Sequence, residues 1–248
     1  MCIELWLLKS PKSPRSEHAT AWSELLDVSE NKRRQKLISD AARTRFAMGH
    51  GLVRTALSYG RHVAPQDWQF RRTSKGRPSI CGPIDSPPLA FNLSYTEGLI
   101  ACVVAQIELI GVDIEYISDS YPYADIARRV LSHNEHKTLS ELPADSQRAR
   151  FFEHWTLKEA YLKALGVGLE FEPREIELSL EPPDEIRAKI NKKENWCFAL
   201  YAPEPRYRLA MAYGNSRPLE VNARWVTSPC EDGQRFACNP IFKTLEAG

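Results

Sequence analysis

The sequence predicts an α+β protein on three observations. Runs with period-two alternation or continuous apolar character recur along the chain, at 3–8, 99–105, 109–115, 196–201 and 207–213. Between them lie segments whose apolar residues return every three to four positions, the pattern of a helix with one buried face. The order strand, helices, strands then occurs twice without any sequence repeat. That order predicts two halves of similar build, joined near Gln106.

Taken in order, residues 3–8 read as a strand, 9–16 as a Pro- and Ser-rich loop and 17–26 as a helix. Ser29 is a candidate N-cap for a basic helix through residue 38, carrying Lys32, Arg33, Arg34 and Lys36. Residues 41–59 form a longer helix with Phe46, Leu52, Val53 and Leu57 on its apolar side. Pro65 opens a loop, 68–72 alternate as a strand, and 75–88 read as a Gly- and Pro-rich loop. Strands at 89–93 and 99–105 flank a turn at 95–98, and 109–115 is the next strand. Helices are expected near 125–131 and 134–139, then a long one from about 146, with Pro173 as a breaker. Strands follow near 175–180, 196–201, 207–213 and 219–226. The expected division is 1–106, 107–226 and an irregular tail, 227–248, with no period.

With 248 residues, 43% of them hydrophobic, the chain is long enough for a real core. A formal net charge of +1 leaves no bulk field to attract nucleic acid or an anionic membrane. The six cysteines are scattered without a C-x-x-C pair, which fits a reducing compartment. No apolar run approaches the roughly 20 residues that span a bilayer, and an acid interrupts the N-terminal run. A soluble, cytoplasmic protein is expected.

The chemistry concentrates in two stretches. In FFEHWTLKEAYLKALGVG, Phe151, Phe152, Trp155, Leu162 and Leu165 share one side of a helical wheel, and Glu159 falls inside that stripe with Lys163 one turn beyond. A buried carboxylate is costly unless paired, so the plain reading is a Glu159–Lys163 ion pair at a core edge. In LIGVDIE, alternation turns Val112 and Ile114 one way and Asp113 and Glu115 the other. An acidic pair on a strand is commonly a solvated face. Here three carboxylates and the lysines Lys158 and Lys163 together form a set suited to a Mg2+-bound pyrophosphate, since Mg2+ takes carboxylate and phosphate oxygens.

GVDIE followed by FFEHWTLKEAYLKALG resembles the paired signatures of the Sfp-type 4'-phosphopantetheinyl transferases. KGRP, at 75–78, and FNLSYTEG, at 91–98, resemble two further family signatures in the expected order, with Tyr95 standing where the family usually has histidine. The resemblance covers about residues 40–215. It implies a pseudo-dimer of two α+β halves with the active site in the cleft between them, most simply a monomer. The implied reaction moves the phosphopantetheine arm of coenzyme A onto a serine of an acyl or peptidyl carrier protein, releasing 3',5'-ADP. By resemblance Asp113, Glu115 and Glu159 hold Mg2+, Glu159 deprotonates the serine, and Lys163 stabilises the leaving phosphate. Lys158 is implied as a second phosphate contact, and Arg45, Arg77, Ser94 and Tyr95 as contacts of the 3'-phosphate.

Carrier proteins are acidic around their modified serine. A basic patch of Lys32, Arg33, Arg34, Lys36, Arg71 and Arg72 would steer them, although a charge run is commonly just a solvated helix face. His133 and His136, without further ligands, read as surface histidines, and Trp155 and Trp196 as core residues. A non-catalytic coenzyme A or carrier-binding protein of the same fold, and a Mg2+-dependent pyrophosphate hydrolase, are the competing readings.

Overall fold

The computed structural model describes residues 1–11, 15–73, 76–83, 89–167, 171–190 and 195–245, the side chain of Ser16 excepted. Lys75 of the KGRP run and Gly168 lie outside them. The chain is α+β and divides into two compact units, one built from 1–108 and 220–237, the other from 109–219 and 238–248.

The first unit carries strands β1 (Cys2–Lys9), β2 (Gln69–Arg72), β3 (Pro78–Gly82), β4 (Ala90–Thr96) and β5 (Leu99–Ala105). Its helices are α1 (Thr20–Ser23), α2 (Val28–Gln35) and α3 (Asp40–Ser58). Asp27, not Ser29, caps α2: its carboxylate accepts from the Glu30 amide while the Glu30 side chain accepts from the Asp27 amide. The core beneath α3 joins Trp6, Trp22, Leu52, Leu57, Trp68 and Ile100. Arg54, fully buried at 0% exposure, pairs with Glu30 at 2.7 Å and donates to the Trp68 carbonyl, so its charge is both neutralised and hydrogen-bonded. The 75–88 stretch, expected as loop throughout, contains β3. β3 pairs with β2 around Gly76, whose φ of +83° suits a residue without Cβ.

The second unit opens with β6 (Ile110–Tyr116), followed by α4 (Tyr123–Val130), α5 (His133–Glu141) and the 22-residue α6 (Ala144–Leu165). Strands β7 (Glu177–Glu181), β8 (Glu185–Lys189), β9 (Trp196–Tyr201) and β10 (Tyr207–Gly214) come next. β11 (Glu220–Val226), β12 (Gln234–Phe236) and β13 (Phe242–Lys243) complete the chain. The second unit's sheet runs β6-β10-β9-β13-β8-β7, and the first unit's runs β12-β11-β1-β5-β4.

The expected division is therefore corrected at its C-terminal end. β11 leaves the second unit and pairs parallel with β1, Ile3 facing Val221 and Leu7 facing Trp225. The described part of the tail, 227–245, carries two short strands. β12 extends the first sheet, and β13 inserts between β8 and β9 of the second. A periodicity search misses two- and three-residue strands, because too few residues alternate to give a signal.

Candidate active site

The site is built on β6 and α6 of the second unit. Asp113 and Glu115 share a side of β6 with Gly111, and that side faces α6: a Cβ at Gly111 would stand 2.0 Å from the Ala160 carbonyl oxygen. Across the ladder, Gly111 pairs with Ala212 and Asp113 with Ala210. Gly111, Ala210 and Ala212 thus form a floor of small residues under Ala160 and Ala164, which lets the helix lie close to the strand. Val112 and Ile114 fill the other face, both at 0% exposure.

α6 differs from the expected amphipathic helix. From Phe151 onward it is buried nearly all round, with Phe151, Thr156, Leu157, Lys158, Ala160, Tyr161 and Ala164 all inside. The half-exposed positions Trp155, Glu159 and Lys163, four residues apart, form its open stripe. The expectation that Glu159 lies within the buried stripe is thus corrected: two separate clusters, around Phe151–Phe152 and around Tyr161, cover the other sides of the helix.

On that open stripe the predicted residues meet. Lys163 Nζ donates to Asp113 Oδ1 at 2.6 Å, and the Trp155 indole nitrogen donates to Glu115 Oε1 at 3.0 Å. Burial, then the neighbouring Asp113, push the Glu115 carboxyl up to about 7. The same two causes raise Glu159, with Lys163 opposing them. The expected Glu159–Lys163 pair is replaced by an Asp113–Lys163 pair. Trp155, expected as a core residue, orients a carboxylate, and its place one turn before Glu159 was the available signal.

Lys158 is the clear departure. It is 1% exposed, and its ammonium donates to Glu135 at 2.5 Å and to the carbonyls of Val130 and Pro173 at 2.9 and 3.0 Å. Three acceptors spend its donors, so it presents none to a phosphate. Glu135 also accepts from the amides of Ser132 and Leu178. His154 and Lys158 hold Glu135 below the usual carboxylate range although burial alone would raise it.

In the first unit the predicted phosphate contacts divide by strand parity. Ser94 is buried, and Tyr95 turns to the opposite face of β4, towards α3. A Cβ at Gly49 would meet the Tyr95 hydroxyl at 2.3 Å, so the phenol end lies on α3 while the residue as a whole is 38% exposed. Arg45 is half-buried on α3, one turn before Gly49. Arg77 follows Gly76, and burial shifts its guanidinium below the ordinary value against the pull of Glu108. Arg33, Arg71 and Arg72 line a cavity of about 320 Å³ floored by Phe70, Phe91 and Leu93. Arg34, placed only in the basic patch by sequence, has its Nε buried without a partner.

Three carboxylates with raised or paired character and one lysine meet on this face. Among the described residues no three His, Cys, Asp or Glu side chains are already drawn together around a metal-sized point. The donor chemistry nevertheless fits a hard divalent cation. The candidate donors are all oxygen, and Asp113 raises both glutamates against the opposing charge of Lys163.

Residues 109–212 match the model of the 4'-phosphopantetheinyl transferase superfamily. The chain is 31% identical over 212 residues to the 4'-phosphopantetheinyl transferase HetI of Nostoc sp., covering 85% of this chain and 86% of that protein. It is 28% identical over 174 residues to the 4'-phosphopantetheinyl transferase Sfp of Bacillus subtilis, covering 69% and 74%. A holo-(acyl-carrier-protein) synthase from Bacillus anthracis, solved in complex with CoA (3',5'-ADP), superposes with a TM-score of 0.39 at 21% identity, covering 43% of this chain and 94% of that one. The chain belongs to the 4'-phosphopantetheinyl transferase superfamily.

Proposed function

We propose that this protein transfers the 4'-phosphopantetheine group of coenzyme A to a serine of an apo carrier protein, releasing 3',5'-ADP. The observation that carries the reading is the ladder Trp155–Glu115, Glu159 and Lys163–Asp113, set on the two motifs that the family shares. Asp113, Glu115 and Glu159 would hold Mg2+, which supplies charge neutralisation on the pyrophosphate of coenzyme A.

The chain's own residues do the rest. Glu159, its carboxyl raised by burial and Asp113, accepts the proton of the attacking serine, directly or through a water. Lys163, pivoting on Asp113, meets the charge that develops on the leaving phosphate. Trp155 fixes the orientation of Glu115. In the first unit, Arg45, Arg77, Ser94 and Tyr95 are assigned to the 3'-phosphate end. Arg45 and Tyr95 share the α3 side of the sheet, and Ser94 serves from the other. Lys158 is withdrawn from this set.

The protein is assigned to the cytoplasm, as a monomer, in fatty-acid, polyketide or nonribosomal-peptide biosynthesis. Six free cysteines support a reducing compartment. The test is intact-mass analysis after incubation with coenzyme A, Mg2+ and several apo carriers. Transfer adds phosphopantetheine to a carrier, a pyrophosphate hydrolase releases phosphopantetheine free, and a binding protein does neither. Either of the last two results overturns the reading.

A further inference from the structure

The basic stretch of α2 does not form one patch; the fold splits it in two. Glu30 turns inward at 1% exposure, and Arg33 lies 5.6 Å over the Phe46 ring and lines the cavity shared with Arg71 and Arg72. The opposite face carries Val28, Lys32 and Lys36, four residues apart and therefore in one row about 12 Å long. Val28 is 73% exposed, and Lys32 and Lys36 are both exposed. Among the described residues neither lysine is paired with a carboxylate. Just past the row, Ile38 stands 99% exposed.

Ile38 is not a loose loop residue. Arg43 donates to the carbonyls of Leu37 and Ile38 at 2.6 and 3.3 Å and is itself held by Asp40 at 2.6 Å. The Ser39 hydroxyl caps α3 at the Ala42 amide. A branched apolar side chain on a pinned backbone gains nothing for folding in water, but it is pre-organised for a partner, which lowers the ordering cost of association. Two unpaired lysines flanked by Val28 and Ile38 are complementary to an acidic helix that carries apolar residues.

We infer that the outer face of α2, with Ile38, docks the acidic, amphipathic helix of the carrier protein that receives the phosphopantetheine. The inference rests on the transferase reading for the identity of its partner. It separates two jobs within one basic stretch: the outward lysines serve the protein substrate, and the inward Arg33 faces the cavity.

Two purified apo carriers, one acyl and one peptidyl, each with its acceptor serine replaced by alanine, are titrated into wild type, Lys32→Glu/Lys36→Glu and Ile38→Ser without coenzyme A. All three substituted positions are exposed, so the fold is retained. At least one carrier is expected to bind wild type and to bind each variant roughly tenfold more weakly. Its affinity should also depend less on salt in the lysine variant, and the KM for coenzyme A should be unchanged in both variants. Equal carrier binding by wild type and variants, no binding of either carrier by wild type, or a rise confined to the coenzyme A KM would each overturn it. A wild type that binds carriers through this face without transferring to unmodified ones would instead defeat the transferase reading and leave the docking face standing.

Discussion

Gly111 lies directly against the backbone of Ala160: a Cβ added to it would stand 2.0 Å from that residue's carbonyl oxygen and 2.5 Å from the Ala164 nitrogen. Both obstacles are backbone, so neither can rotate aside. The glycine of GVDIE thus sets the distance between the strand that carries Asp113 and Glu115 and the helix that carries Glu159 and Lys163. Gly111→Ala should cost about 1–3 kcal/mol by overpacking and should lose more transfer activity than its stability loss explains. Gly214→Ala is the control, because its Cβ would meet only the Leu109 side chain, at 3.3 Å. Comparing urea midpoints and turnover for the two variants checks this. Full activity in Gly111→Ala would show that the strand–helix distance is not critical.

Lys158 should behave as a strut. Lys158→Met strands the carboxylate of Glu135, which is 3% exposed, and should destabilise the protein by about 3–5 kcal/mol. Glu135→Gln combined with Lys158→Met removes both charges, keeps a side-chain oxygen for one of the Ser132 and Leu178 amides, and should recover part of that loss. In folded samples of both, the KM for coenzyme A should stay at the wild-type value. A raised KM in the double variant would return Lys158 to the phosphate.

The candidate site was legible in part: strand alternation put Asp113 and Glu115 on one face of β6. The helical period placed Glu159 inside the buried stripe and paired it with Lys163, so only the resemblance brought the four residues together. Lys158 was misread for a related reason. Its neighbour Glu159 is on the open stripe, but 100° round the helix a lysine enters a different environment, and nothing local to 151–168 announces Glu135. β11 was legible as a strand but not as a member of the first sheet, since pairing with a strand more than 200 residues away leaves no local pattern. Tyr95 and Ser94 were grouped by the resemblance, and strand alternation places their side chains on opposite faces of β4.

Glu30 makes stability depend on acid pH. Burial alone would raise its carboxyl, but the hydrogen bond from His50 and the charge of Arg54 outweigh burial and hold it below the ordinary range. A carboxylate whose folded value is depressed contributes stability above its unfolded value, about 4.3, and loses that contribution as pH falls through the folded one. Glu30→Gln should therefore cost about 3 kcal/mol at pH 7, where buried Arg54 is left with Asp27 as a charged partner. The gap from wild type should narrow below about pH 4. Thermal melts of both proteins from pH 3 to 8 test this; two parallel curves would mean that Glu30 is not depressed in the folded protein.

Tyr95 gives the last test. Burial raises its phenol well above the ordinary value, so it stays neutral throughout the physiological range. It faces α3, with Arg45 one turn before the Gly49 on which its hydroxyl rests. From this position the protein offers a phosphate at most a neutral hydrogen bond, roughly half as strong as a charge-assisted one. Tyr95→Ala should accordingly weaken coenzyme A binding less than Asp113→Ala weakens transfer, which should be abolished. Tyr95→His places an imidazole on the same side of the sheet as Arg45, and a phosphate nearby would raise its pKa. Coenzyme A should then bind that variant more tightly at pH 6 than at pH 8. The phosphate's own titration is common to both proteins, so the quantity that decides is the difference between variant and wild type, measured calorimetrically at the two pH values. An equal pH dependence in the two proteins would place residue 95 out of reach of the phosphate and leave Tyr95 the single job of packing against Gly49.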